Sequence, residues 1–326
     1  MQRSFFSYFI ITLKGLAMGA ADVVPGVSGG TIAFISGIYE ELIESIDNLN
    51  LGFFKIWKNS GFKTAWTSIN GSFLLALFSG VAISILSLAK AIKWLLVNEP
   101  ILLWSFFFGL VLASVLYVAK QIKKWSFLVV VAIVITSIIS YFITLAEPFA
   151  SPDSPYYLLF CGFIAIIAMI LPGVSGAFIL LILGAYQTAI DTINNLRDGL
   201  FTGNMDLFKD AFLNFVLLAI GAVVGIKVFS KVLNWMFKHK KNITLAVLTG
   251  FMIGSLNKIW PWKKTMTTRL NSDGIEVPLL EQSILPNHFE GDNKLLVAIV
   301  FMAVGFFTIL ILERLGTKKQ ILTKPE

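Results

Sequence analysis

The sequence predicts an all-α, polytopic membrane protein built from two inverted-topology repeats, each a Pro-Gly-broken helical hairpin followed by three transmembrane helices. Three observations carry that expectation. Apolar residues make up 56% of the 326 positions and charged residues 14%, against roughly a quarter charged in a soluble domain, so no water-facing surface can be built from this list. Mean hydropathy is +0.81. Uncharged runs recur at about the 20-residue length that crosses a bilayer, and the chain repeats itself.

The first element is a hairpin over 4–47, interrupted at Val24-Pro25-Gly26-Val27-Ser28-Gly29-Gly30. Proline removes a helix donor and glycine admits backbone angles that other residues avoid, so the helix must break there. Spans over 73–96, 101–120 and 125–146 complete a first repeat, 1–150. The second, 151–326, opens with an uncharged run of 37 residues from Ser154 to Ile190. As one helix it would be roughly 55 Å long, far thicker than the hydrocarbon layer, so it has to fold back. Its hairpin, 154–190, breaks at Leu171-Pro172-Gly173-Val174-Ser175-Gly176, and spans over 211–236, 242–258 and 295–313 follow.

Setting Pro25 on Pro172, an offset of 147, makes 15 of 37 positions identical without a gap, including the whole Pro-Gly-Val-Ser-Gly segment, Gly37/Gly184 and Tyr39/Tyr186. That is a repeat rather than convergence of two helical hairpins, and it argues against reading the apolar N-terminus as a cleaved signal. At an offset of 141 the match continues: Gly80 meets Gly221, Lys90 meets Lys231 and Gly109 meets Gly250. A hairpin returns the chain to the side it entered and three spans reverse it, so the halves have opposite orientation. With both termini cytoplasmic, 14 of the 26 basic residues fall in cytoplasmic segments and seven outside, as the positive-inside rule requires. Most of the net charge of +7 is therefore topological, and nucleic acid is excluded as a partner. Inverted repeats with broken helices belong to transporter architecture.

Cysteine and histidine remove other chemistry. Cys161 stands alone and cannot form an internal disulfide; it reads as a small buried hydrophobe. His239 sits in a basic stretch and His288 in a polar loop, without metal-ligand spacing. No metal and no cofactor is expected.

The hairpin tips carry the chemistry. A helix restarting at Ser28 or Ser175 has amides without intrahelical acceptors and a positive dipole end, which suits a phosphate. Gly26, Ser28, Gly29, Gly30 and Thr31 in the first tip, with Gly173, Ser175 and Gly176 in the second, are the expected phosphate-binding residues. Water or the opposing tip is the alternative partner for these groups. Lys14, Lys90 and Lys231 are further phosphate contacts, or else long side chains reaching the interface. Asp22 has Met169 as its repeat partner, so the turn alone does not require a carboxylate there. A carboxylate in an apolar segment is a candidate for proton or sodium coupling, with helix capping as the plain alternative. Glu40, which shares a helix face with Glu44, is a second coupling candidate.

Ala21-Asp22-Val23-Val24-Pro25-Gly26-Val27-Ser28-Gly29-Gly30-Thr31, with Gly37-Ile38-Tyr39 and the second Leu171-Pro172-Gly173-Val174-Ser175-Gly176 motif, resembles the bacterial polyprenyl-phosphate transporter family over essentially the whole chain. The resemblance implies return of undecaprenyl phosphate from the outer to the cytoplasmic leaflet of the plasma membrane, with ion coupling, and no enzymatic activity. The competing readings are a transporter of a small anion and a membrane undecaprenyl-pyrophosphate phosphatase. Phosphatases of that kind follow the motif serine with arginine, whereas Gly29 and Gly176 stand there, which removes the charge that a diphosphate needs.

Overall fold

The computed structural model describes residues 3–24, 27–148, 154–270 and 276–322. Its first half runs α1 (Phe5–Asp22), α2 (Gly29–Ile35), α3 (Tyr39–Asn48), α4 (Leu51–Ser60), α5 (Phe62–Ser68), α6 (Gly71–Asn98), α7 (Pro100–Lys120) and α8 (Phe127–Leu145). The second half runs α9 (Pro155–Ile170), α10 (Gly176–Ile182), α11 (Tyr186–Thr202), α12 (Met205–His239), α13 (Lys241–Ser255), strands β1 (Lys263–Leu270) and β2 (Glu276–Ser283), and α14 (Leu295–Leu322). The protein is mostly helical. Among the described residues α6, α7, α8 and α12 are long and apolar enough to cross a membrane, and α10 with α11, bent by 111°, makes a fifth if the pair is one broken span.

Local chemistry explains the breaks. Ser28 and Ser175 stand in extended conformation ahead of α2 and α10 and cap them. Each short helix then ends on a left-handed glycine, Gly37 at φ +72° and Gly184 at φ +68°. The bonds around them match: Gly37 N–H donates to Phe34 O and Ile38 N–H to Ala33 O, while Gly184 N–H donates to Leu181 O and Ala185 N–H to Leu180 O. This is the Schellman arrangement, and it needs a residue without a Cβ penalty at that turn.

Glycine also sets the helix pairs. A Cβ on Gly15 would run into the Leu77 carbonyl and one on Gly80 into the Thr12 carbonyl; their repeat partners Gly162 and Gly221 face Leu218 and Leu159 in the same way. Thus α1 packs on α6 and α9 on α12 at backbone contact. The remaining pairs cross between halves, α7 with α14 and α8 with α13. Gly109 lies against the Met302 carbonyl in the first of these and Gly250 against Ile133 and Thr136 in the second. Small residues at such contacts let helices approach where lipid offers no hydrophobic drive. Of the four long apolar helices α7 is the most enclosed, 61% buried against 17% for α8.

Polar contacts sort the ends of the bundle. Arg3 meets Glu41, Glu40 meets Lys241, Glu44 meets Lys238, and Lys123 N–H donates to Asn242. At the other end Lys294 pairs with Glu99, and Asn257 donates to Thr144 at the close of α8.

The described elements add to the expected outline at four points. The fold is not purely helical: the long loop before α14 folds into an antiparallel β1–β2 pair with two register shifts. It is held down by Trp260 Nε1–H on Ile284 O, 2.8 Å, and Trp262 Nε1–H on Asn293 O, 2.9 Å. The span expected over 242–258 is a 15-residue helix ending at Ser255. Leu245, Ala246, Leu248 and Met252 are fully buried in it, so α13 is enclosed by protein and need not match the lipid thickness. The second hairpin extends past 190 to Thr202, because α11 continues as a polar-faced helix. The connection before α6 is helical, α4 and α5, with Phe54, Trp57 and Phe62 exposed among lysines, a composition suited to a membrane interface.

Replacing Gly80 or Gly221 by valine is expected to wedge α1 from α6, or α9 from α12. Overpacking costs about 1–3 kcal/mol, so the purified protein in detergent should lose its monodisperse peak at a lower temperature. An unchanged midpoint in both variants would contradict the close approach.

Candidate functional site

The two helix breaks meet inside the bundle. Ser28, 1% exposed, accepts the Gly30 N–H at 3.1 Å and lies 3.2 Å from both the Met169 and Leu171 carbonyls, its one proton shared between them. Tyr39 OH donates to Ile170 O at 3.0 Å, and Gly173 N–H donates to Thr31 Oγ1 at 2.9 Å. Three side chains of the first half thereby hold the backbone where α9 ends. Those carbonyls are among the last of a helix and have no intrahelical donor. Gly30 is required at this contact, because its Cβ would sit 2.6 Å from the Ile170 carbonyl.

Asp22 completes the first tip. Its Oδ1 accepts the Gly29 N–H at 2.7 Å, Ser28 takes the Gly30 N–H, and the Ser28 carbonyl takes the Thr31 N–H at 2.9 Å. The leading amides of α2 are thus paired with protein groups in this conformation. The sequence left a ligand, water or the opposing tip open as partners; in this structure Asp22 and the opposing tip fill that place.

The second tip is arranged differently. Ser175 caps α10 through a long bond to Phe178 N–H, 3.5 Å. Gly173, at φ +88°, leans on α13 beside Met252 and Ser255, and Gly176 packs on the Ala165 carbonyl of α9. A narrow cleft opens here, lined by Ser140, Thr144, Gly173, Ser175, Phe178 and Lys258. The Lys258 Nζ lies 4.4 Å from the Phe178 ring centroid and 3.7 Å from Glu281 Oε2. Lys263 reaches the same oxygen at 3.5 Å with its Nζ 4.0 Å from the Trp104 ring. Burial pushes the Lys263 ammonium down from the ordinary lysine value to about 8, against the pull of Glu281.

The structure therefore brings Asp22, Ser28, Gly29, Gly30, Thr31 and Gly173 into one cluster, with Ser175 and Gly176 beside it. Gly26 and the Lys90 side chain lie outside the described residues. Lys14 donates to the Ser36 carbonyl at the end of α2, Lys231 is exposed on α12, and Glu40 is paired with Lys241 at 2.7 Å. Among the described residues neither Lys231 nor Glu40 is seen to bond to the tips. Sequence reasoning missed Lys258, Lys263 and Glu281; it counted the two lysines among the basic residues of an external loop. It also missed Lys227, whose ammonium donates to the Ile46 and Asp47 carbonyls at the end of α3, 2.7 and 3.1 Å. A lone lysine inside the apolar stretch of α12 was the available signal.

The family described as VCA0040-like, undecaprenyl phosphate translocase-like, matches residues 18–277, which takes in both tips and the Lys258 cleft. The chain belongs to this family. It is 43% identical over 316 residues to a protein of Vibrio cholerae named polyprenyl-phosphate transporter, covering 96% of this chain and 98% of that one. It is 33% identical over 270 residues to a Staphylococcus aureus protein of the same name, covering 78% of this chain and 86% of that one. No solved structure matches. Members of this translocase-like family are membrane transport proteins, and the apolar helices described above agree with that class.

Tyr39→Phe strands the Ile170 carbonyl and Thr31→Val the Gly173 amide. A buried polar group left unpaired costs about 1–3 kcal/mol, so each variant should lower the thermal midpoint of the purified protein, and the double variant further. No shift in the pair would mean that the tips are not clasped in the membrane-extracted protein.

Proposed function

We propose that this chain is a polyprenyl-phosphate transporter that carries undecaprenyl phosphate from the outer to the cytoplasmic leaflet of the bacterial plasma membrane, by alternating access of two inverted repeats. The observation that carries the reading is the meeting of two broken helices from the two sequence repeats at one buried point, with a cation-lined cleft beside it. The names of the relatives agree with it. An anionic head group needs polar partners inside the bundle while its tail stays in lipid, and helix breaks are where such partners arise.

In this reading both termini and the Arg3, Lys238 and Lys241 end are cytoplasmic, and the β1–β2 pair is external. Ion pairs between α3 and α12–α13, with Asn234 Nδ2–H on Asp47 Oδ2 at 2.7 Å, close the cytoplasmic end. The cleft at the second tip, about 10 Å³ in this conformation, widens to admit the head group first. Breaking the Ser28, Thr31 and Tyr39 clasp then releases the first tip, so that Ser28, Gly29, Gly30 and Thr31 turn from each other's partners into the phosphate's. A proton or sodium ion drives the cycle through Asp22, because binding either one there weakens its hold on Gly29 N–H and loosens α2. Hydrolysis is disfavoured: Ser28 spends its proton on carbonyls and accepts an amide, which leaves it unprepared as a nucleophile.

The test is leaflet movement of a labelled polyprenyl phosphate in proteoliposomes. The protein should accelerate it under an imposed proton or sodium gradient, and no acceleration under any gradient would reject the assignment. Asp22→Asn keeps an oxygen for the Gly29 amide but cannot titrate. Transport should then fall at least tenfold and lose its ion dependence, a tenfold change being about 1.4 kcal/mol in a barrier. An unchanged rate would reduce Asp22 to a helix cap.

A further inference from the structure

We propose that Lys258, supported by Lys263 and Glu281, is a phosphate-monoester-binding cation at the mouth of the second hairpin tip. The proposal rests on the transport reading for its biological cargo, but its geometry stands independently. Two ammonium groups, on side chains only 15% and 7% exposed, share a single carboxylate oxygen of Glu281 at 3.7 and 3.5 Å. A buried cluster with two positive groups and one negative is short of one negative charge, and an uncompensated charge away from water is costly. Among the described residues no further carboxylate is seen to repair the deficit. Lys264, next along β1, points the other way to an exposed pair with Glu290, Arg269 stacks on Tyr186, and Glu99 is engaged by Lys294.

Lys258 connects the cluster to the cleft. Lys258 lines it together with Ser140, Thr144 and Ser175, while Phe178 and Ile143 supply apolar wall. Ser140 and Thr144 give their protons to the Phe251 and Tyr141 carbonyls, so Ser175, which accepts the Phe178 N–H and keeps its own proton, supplies the hydroxyl. With one ammonium and an apolar flank it suits a monoester that has charged oxygens on one side and hydrocarbon on the other. Lys258 is the better placed of the two lysines for direct contact. Lys263 is held between Glu281 and the Trp104 ring, so its part is to keep Glu281 partly occupied and Lys258 under-neutralised. Lysine suits a ligand that must leave again, since it binds phosphate as a compact point charge without a fixed fork.

The experiment uses the full chain in nanodiscs of zwitterionic lipid, titrated with farnesyl monophosphate, inorganic phosphate and farnesol. Lys258→Gln should weaken farnesyl monophosphate binding on the order of tenfold or more, the scale of a hydrogen bond to a charged group. Lys258→Arg should restore most of it, and Lys264→Gln should leave it unchanged. Glu281→Gln should tighten binding, a gain that misfolding cannot produce. If inorganic phosphate binds the parent and is lost in Lys258→Gln while farnesyl monophosphate does not bind, the cation site stands and the lipid reading fails. Equal binding of both probes to Lys258→Gln and the parent, equal binding of farnesol and farnesyl monophosphate, or no anion binding by the parent would each overturn the proposal.

Discussion

A helix that breaks inside an apolar bundle exposes backbone groups that its surroundings cannot satisfy, and the contact between the two tips answers that constraint. Proline and glycine after Val24 and Leu171 interrupt two helices, leaving amides at the start of α2 and carbonyls at the end of α9. Their dipoles are complementary, positive at the first and negative at the second. Bringing the two ends together lets Ser28 serve both at once, accepting from Gly30 and donating to Met169 and Leu171. The backbone-close pairs α1–α6 and α9–α12 brace each half from within, and the crossed pairs α7–α14 and α8–α13 join one half to the other.

The sequence repeat is nearly symmetric at its tips, yet the contact between them is not. Tyr39 reaches the other half's backbone, whereas its partner Tyr186 lies beneath Arg269. Thr31 accepts from Gly173, and its counterpart Phe178 instead faces Lys258. Asp22 holds α2 where Met169 can hold nothing. Each substitution moves polar capacity into the first tip and apolar surface into the second. A symmetric pair of tips would place two like helix starts against each other, so divergence at these few positions is what makes a head-to-tail contact available.

The two helix breaks were legible because they rest on a local rule, a missing donor, whereas Gly37/Gly184, Gly80/Gly221 and Gly109/Gly250 showed only as repeat matches, and the structure supplies their turns and contacts. Two other features were not legible. The β1–β2 pair has no alternating apolar face; its Thr-rich strand is stabilised by Trp260 and Trp262 reaching distant carbonyls, and such a long-range anchor leaves no periodic trace. Lys258 and Lys263 looked like external-loop charges because counting basic residues by side treats a loop as solvent-exposed. The fold over that loop buries them. Asp22 was legible as an anomaly, but its partner, an amide seven residues on, depended on how the break folds.

The relative strength of these contacts says which of them governs motion. The pairs Glu40–Lys241 and Glu44–Lys238 are about half exposed, and exposed pairs contribute about 0–1 kcal/mol each, less in salt. The Ser28, Thr31 and Tyr39 bonds are buried, and breaking one without replacement costs the desolvation of both partners. The ion pairs at that end therefore select an orientation without holding it, while the clasp sets the height of any barrier to separating the halves. A barrier of that kind is lowered only by a ligand that offers the freed amides and hydroxyls the same number of bonds. Phosphate oxygens meet that demand, while water drawn into an apolar bundle meets it at the further cost of wetting the surrounding side chains. In the transport cycle proposed above, a clasp built from phosphate-compatible donors would yield to the right anion and to little else, which would tie movement to cargo.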